Sequence, residues 1–122
     1  MAKNENIVGE KSEIFAIAVV NVYKELTQKN EFVLSKQLLR SGTSIGANLA
    51  ESECASSESD FVNKLYIALK ECNESLYWLR LLYKTDYIGK ERYNTLYRDC
   101  SEIKRILTSS VKTIRERQES GK

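Results

Sequence analysis

Apolar residues return every three or four positions through most of this chain, and strict alternation is scarce. A period near 3.6 belongs to helices and a period of two to strands, so the pattern predicts an all-α protein. Four helical stretches emerge. The first runs from about Glu10 to Gln28, and its apolar residues (Ile14, Phe15, Ile17, Ala18, Val19, Val20, Val22, Tyr23, Leu26) nearly encircle it, as in a helix covered on more than one side. Lys29, Asn30 and Glu31 mark a turn, and the second helix begins between Asn30 and Ser35 and ends near Ser56. Ser57-Glu58-Ser59-Asp60 offers the next start: the Ser57 hydroxyl can cap the free amide of Asp60, whose carboxylate suits the positive end of a helix dipole. The third helix reaches about Lys84, with Phe61, Leu65, Ala68, Leu69, Cys72, Leu76, Leu79 and Tyr83 on its core stripe and a second patch, Ile67, Trp78 and Leu81, on the far side. After a turn at Thr85–Gly89, the fourth spans about Lys90 to Arg117, with Tyr93, Leu96, Tyr97, Cys100, Ile103, Leu107, Val111 and Ile114 facing in. Short connections between long helices make antiparallel neighbours, so the predicted fold is an up-down-up-down four-helix bundle. It fills residues 1–122 as one domain, with ordered helices over about 10–117 and frayed ends at 1–9 and 118–122.

The second helix departs from the usual two-sided pattern. Leu34, Leu38, Ile45 and Leu49 form one apolar stripe; Gln37, Ser41, Ser44 and Asn48 run beside it, with Arg40 and Glu51 at the edge. The third side is small, because Gly42, Gly46 and Ala50 recur every four residues. Glycine inside a helix costs about 1 kcal/mol relative to alanine, so two of them argue for a close helix neighbour. In a membrane this spacing is a dimerisation device; in a water-soluble chain it marks tight packing, within one subunit or between two. A helix with three uncharged faces is contacted from several sides, more than one small core supplies. Self-association is therefore expected, with Gly42, Gly46, Ala50, Ile67, Trp78 and Leu81 as the close-packing or subunit-contact face.

Length and composition suit such a domain: 122 residues, no proline and five glycines. The net charge is +2, unevenly spread. Residues 1–60 carry six Lys/Arg against nine Asp/Glu, whereas residues 61–122 carry thirteen against eight. That basic excess suits an anionic partner or a salt-bridged solvated surface. Cys54, Cys72 and Cys100 form no C-x-x-C pair and cannot all be bridged within one chain, which favours a reducing compartment and buried thiols. The longest apolar run, Ile14 to Val20, is far shorter than the ~20 residues a membrane span needs. It follows Glu10, Lys11 and Glu13 and lacks the basic start of a secretory signal. A cytoplasmic protein with no membrane partner is expected.

Candidate chemistry is sparse. There is no histidine, which removes the commonest general base and metal ligand. Glu71 and Glu74 are carboxylates one turn apart, able to hold a metal or move a proton; local cations (Arg40, Lys70, Arg80) favour a structural pair. Cys72 falls on the core stripe and reads as a packed thiol. No enzyme, cofactor or metal is expected. The Gln37, Arg40, Ser41, Ser44, Asn48 and Glu51 stripe either binds a ligand or, paired with Glu71 and Glu74, satisfies polar groups at a helix junction, and the second reading is preferred. Arg98, Arg105 and Lys112 follow one another at seven-residue steps on the fourth helix, with Arg115 next along and Lys104 adjacent. Cations so aligned can track a phosphate backbone. Glu102 interrupts the stripe, and no aromatic lies among these residues to stack bases. A merely solvated face is therefore the preferred reading for one subunit, whereas in a ring the cationic fields of the copies would sum.

The run from Gln37 to Asn48, then Ala50-Glu51 and Ser59-Asp60-Phe61, resembles the signature of bacterial four-helix-bundle proteins encoded in intervening sequences of large-subunit ribosomal RNA genes. Lys64-Leu65, Ala68-Leu69-Lys70-Glu71, Glu74-Ser75 and Tyr77-Trp78-Leu79 resemble one subgroup of it. The likeness covers roughly residues 10–115. Ser52 departs from it, since many members place glycine or alanine there. The resemblance implies a four-helix bundle assembled as a homo-oligomer, a ring of five. A similar barrel-shaped accessory protein of diversity-generating retroelements binds nucleic acid and a reverse transcriptase. Expected partners are thus further copies of the chain, RNA or DNA, with a protein-interaction adaptor as the alternative.

Overall fold

The computed structural model describes the backbone of residues 3–121 and the side chains of residues 7–121. Four helices, α1 (Lys3–Gln28), α2 (Leu34–Ser52), α3 (Glu58–Lys84) and α4 (Lys90–Ser120), account for most of the described residues, with no strand among them. The helices extend past the expected bounds, over 3–9 and 118–120; residues 1, 2 and 122 lie outside the described residues. Val8 is the reason at the first end, because it is buried in the core and ties down the opening turns of α1. α2 stops short of Ser56: the amides of Glu53, Cys54 and Ala55 turn to the carbonyls three residues back, which tightens the last turn and ends the helix.

Each connection has a local cause. Asn30 and Asp86 adopt φ 67°, the left-handed conformation that ends a helix. Around Asn30, the Glu31 amide reaches the Leu26 carbonyl and the Asn30 amide the Thr27 carbonyl; around Asp86, Tyr87 and Asp86 repeat the arrangement on Leu82 and Tyr83. α3 starts as expected, with the Asp60 amide donating to Ser57 Oγ at 3.0 Å and the Asp60 carboxylate accepting from the Ser56 amide at 3.2 Å. The start of α2 uses a residue read only as part of a turn. The buried Glu31 carboxylate accepts from the amides of Val33, Leu34 and Ser35 at 3.0, 2.8 and 2.7 Å, taking up donors that have no partner within the helix.

α1 packs on α2 and α4, and α3 packs on α2 and α4, while the diagonal pairs do not meet. Contacts across every junction run in opposite senses. Val19 and Ser12 lie against Gly42 and Gly46; Ser41 and Glu51 reach Ser75 and Lys64; Arg80 and Tyr66 meet Tyr97 and Arg115; Glu25 and Lys11 pair with Arg92 and Glu102. Each helix therefore runs against both of its neighbours. The core between them holds Phe15, Val19 and Leu26 of α1, Leu38 and Ile45 of α2, Leu79 and Leu82 of α3, and Ile103 and Leu107 of α4. Burying each such side chain contributes about 1.5–3 kcal/mol. Two residues of the encircled first helix are not covered: Ile14 and Ile17 are 63% and 56% exposed. α1 has neighbours on two sides only, and these isoleucines point away from both. Of the thiols, Cys72 and Cys100 are buried but Cys54, in the turn after α2, is exposed.

Candidate nucleic-acid interface

The polar stripe of α2 lies along α3. The Ser41 and Ser75 hydroxyls, both buried, meet at 2.9 Å, and Ser41 also reaches the Leu38 carbonyl. Farther out, Arg40 pairs with Glu71 at 3.3 Å and with Glu74, and Glu74 also accepts the indole N–H of Trp78 at 3.0 Å. Ser44 donates to the Arg40 carbonyl and Asn48 to that of Ser44, while Glu51 pairs with Lys64 at 3.7 Å. Gln37 is half-buried at the same edge. Both carboxylates considered for acid–base work are thus engaged by one arginine, and the seam joins two helices. No buried side-chain nitrogen or oxygen among the described residues lacks a partner, and no group of His, Cys, Asp or Glu there is arranged to hold a metal. Ser52, where the family pattern has a smaller residue, is buried with its hydroxyl donating to Leu49.

The small face of α2 lies against α1. A Cβ on Gly42 would stand 3.0 Å from both methyls of Val19, and one on Gly46 would stand 3.6 Å from Ser12 Cβ. Gly42 is therefore the residue that lets α1 come close, within the same chain. Ala50 is exposed and borders a cavity of about 600 Å³ between α1 and α2, floored by Leu49, Phe61 and Leu107 and rimmed by Glu10, Glu13 and Glu53. Ile67, Trp78 and Leu81 are each half-buried on the outer side of α3.

The cationic stripe of α4 has a different character. Arg98, Arg105, Lys112 and Arg115 are exposed and Lys104 is half-buried. Arg98 is held by Asp99 of its own helix at 3.3 Å. Among the described residues, Lys104, Arg105, Lys112 and Arg115 have no ion-pair partner. Glu102, expected to interrupt the stripe, bridges to Lys11 of α1 at 2.9 Å; that hydrogen bond holds its carboxyl below the usual range. The aromatic missing from the cationic stripe of α4 comes from α3. The Arg115 guanidinium lies over the Tyr66 ring, 4.7 Å from its centroid. Tyr66 escaped notice because it falls off the α3 core stripe, and only the α3–α4 register brings it to Arg115. A second aromatic run along this junction joins Tyr83 stacked on Tyr93, then Tyr97, whose hydroxyl accepts from Arg80.

Fold and surface together define a class: an all-helical antiparallel bundle with a satisfied polar seam on one side and, on another, a helix carrying four cations without ion-pair partners among the described residues. The chain belongs to the 23S rRNA-intervening sequence protein family, whose model matches residues 4–109. None of the curated proteins matches it. Among solved structures it is similar to a protein of unknown function from the S23 ribosomal protein family of Bacteroides thetaiotaomicron. The two are 54% identical, with a TM-score of 0.87, over 89% of this chain and 98% of the other.

Proposed function

We propose that this chain is a non-enzymatic, self-associating bundle of the cytoplasm that binds nucleic acid, structured RNA first, through the α4 cations of several copies. The observation that carries this reading is the set Lys104, Arg105, Lys112 and Arg115, which have no ion-pair partner among the described residues, Glu102 being bridged to Lys11. A cation already paired gains little from a phosphate; an unpaired one releases the phosphate's counterions at no cost to an internal bridge. The family's description, which ties it to intervening sequences of 23S rRNA, supports RNA as the class of anion. Exposed Ile14 and Ile17 support self-association, because a contiguous apolar surface on a helix suits burial against another body. A ring of copies, five by the family resemblance, would add one stripe per subunit and sum weak fields into a strong one.

Titration of labelled structured RNA against the full chain tests the reading. Four phosphate contacts per bound subunit predict a loss of roughly 10²-fold in affinity between about 50 and 200 mM salt. Replacing Arg105 and Lys112 by glutamine should lower the slope by about two units of phosphate contact. Absence of binding to RNA and DNA at low salt would remove the proposal. A protein-interaction adaptor is the second reading, favoured by Phe32 and Val33, 55% and 70% exposed at the turn before α2. Trp78 is less suited to anchor such a partner, since its indole N–H is already tied to Glu74.

A further inference from the structure

Between α3 and the C-terminal half of α4 lies a cleft of about 290 Å³ whose walls are Tyr66, Leu69, Thr108, Val111, Lys112 and Arg115. It combines three things seldom adjacent by accident on a helical surface. Tyr66 offers a half-buried ring that packs on the core from one side, so its orientation is fixed. Leu69 and Val111 supply an apolar floor. Lys112 and Arg115 bring two cations without carboxylate partners among the described residues.

We propose that this cleft is a stacking site for an unpaired base of single-stranded nucleic acid, with the Tyr66 ring against the base and Lys112 and Arg115 on its flanking phosphates. The site rests on the nucleic-acid reading above and specifies what that reading left open, namely that unpaired nucleotides are preferred to a plain duplex. Arg115 now occupies the place a base would take, its flat guanidinium over the ring at 4.7 Å. An exposed cation on an aromatic face is held weakly, and base–aromatic stacking exceeds it. The flexible arginine therefore yields the ring and carries its charge to the phosphate that arrives with the base. Glu116 and Glu119 also line the cleft, and Glu119, beyond both cations toward the end of α4, repels phosphate there. The strand is thereby directed along α4 toward Lys104 and Arg105, which have no ion-pair partner among the described residues.

The test compares wild type, Tyr66→Ala and Tyr66→Phe on two labelled RNAs, a hairpin with an unpaired loop and a fully paired duplex of equal charge. Stacking of one base is worth about 5- to 150-fold in affinity. Tyr66→Ala should therefore weaken loop binding within that range and leave duplex binding and its salt slope unchanged, while Tyr66→Phe stays within about threefold of wild type. Abasic replacement in the loop should weaken wild-type binding as much as Tyr66→Ala does, a comparison that survives if the alanine variant folds poorly. Equal affinity of wild type for intact and abasic loops, with RNA still bound in a salt-dependent way, overturns the stacking site alone. Failure of wild type to bind either RNA at low salt overturns the nucleic-acid reading and the site with it.

Discussion

Replacing Gly46 by alanine should stabilise the protein and replacing Gly42 should not, although both lie on one small face of one helix. In a helix interior, alanine is favoured over glycine by about 1 kcal/mol, so each substitution begins with the same gain. At Gly42 the new methyl would meet Val19 Cγ1 and Cγ2 at 3.0 Å and Val19 Cβ at 3.3 Å. Val19 has no exposed surface and is β-branched, with one strongly preferred rotamer in a helix. It cannot swing aside, so the contact is relieved only by a shift of a few tenths of an ångström between α1 and α2. Overpacking of that kind costs about 1–3 kcal/mol, which cancels or exceeds the propensity gain, for a net loss of up to ~2 kcal/mol. At Gly46 the nearest atom is Ser12 Cβ at 3.6 Å, an ordinary contact, and most of the ~1 kcal/mol gain survives. Thermal unfolding followed by circular dichroism, at matched and at varied protein concentration, reads both. A difference of 1–3 kcal/mol between the variants corresponds to several degrees in midpoint for a chain of this size. A Gly42→Ala protein stabilised to the same extent as Gly46→Ala would refute the packing argument. A Gly46→Ala protein that is destabilised, and more so at high concentration, would mean that a second copy uses that surface.

Two further expectations concern the turn before α2 and the outer face of α1. Burial opposes the charge of Glu31, but the amides of Ser35 and Leu34, the Ser35 hydroxyl and the Val33 amide together outweigh it and hold the carboxyl below its ordinary value. A carboxyl depressed on folding stabilises above its unfolded pKa, about 4.3, and that contribution disappears as pH falls through the lower folded value. Glu31→Gln should cost about 1–2 kcal/mol near neutral pH and flatten the acid limb of a stability-versus-pH curve; an unchanged acid limb would contradict the capping role. Replacing Ile14 and Ile17 together by lysine should lower the mass seen by light scattering while leaving the subunit's stability within about 0.5 kcal/mol, as for ordinary surface changes. Retention of the full assembly by that variant would exclude this face as a subunit contact.

The helices and most of the core were legible from periodicity, because a residue's place on a helix depends on neighbours three and four positions away. Ser57 and Asp60 capped α3 as their spacing implied. Glu31 was read only as a turn residue, since its function requires the chain to bend left-handed at Asn30 and bring three amides onto its carboxylate. Leu82 was passed over for its neighbour Tyr83, though Leu82 has no exposed surface and Tyr83 is only half-buried. The stripe of α4 cations could be listed from sequence, but whether they were free could not.

What the sequence determined by itself is the secondary structure, the fold class and the family, all of which rest on local spacing and short motifs. The tertiary structure alone decided which polar groups spend their charge on one another. Lys11 and Glu102 stand 91 positions apart and Tyr66 and Arg115 stand 49 apart, yet each pair meets. The physical reason is register: a helix's hydrophobic period states which side faces inward, but the alignment of two helices follows from how side chains across the whole bundle interlock. A shift of one turn, about 5.4 Å, would exchange every cross-helix partner while leaving each helix's own pattern intact.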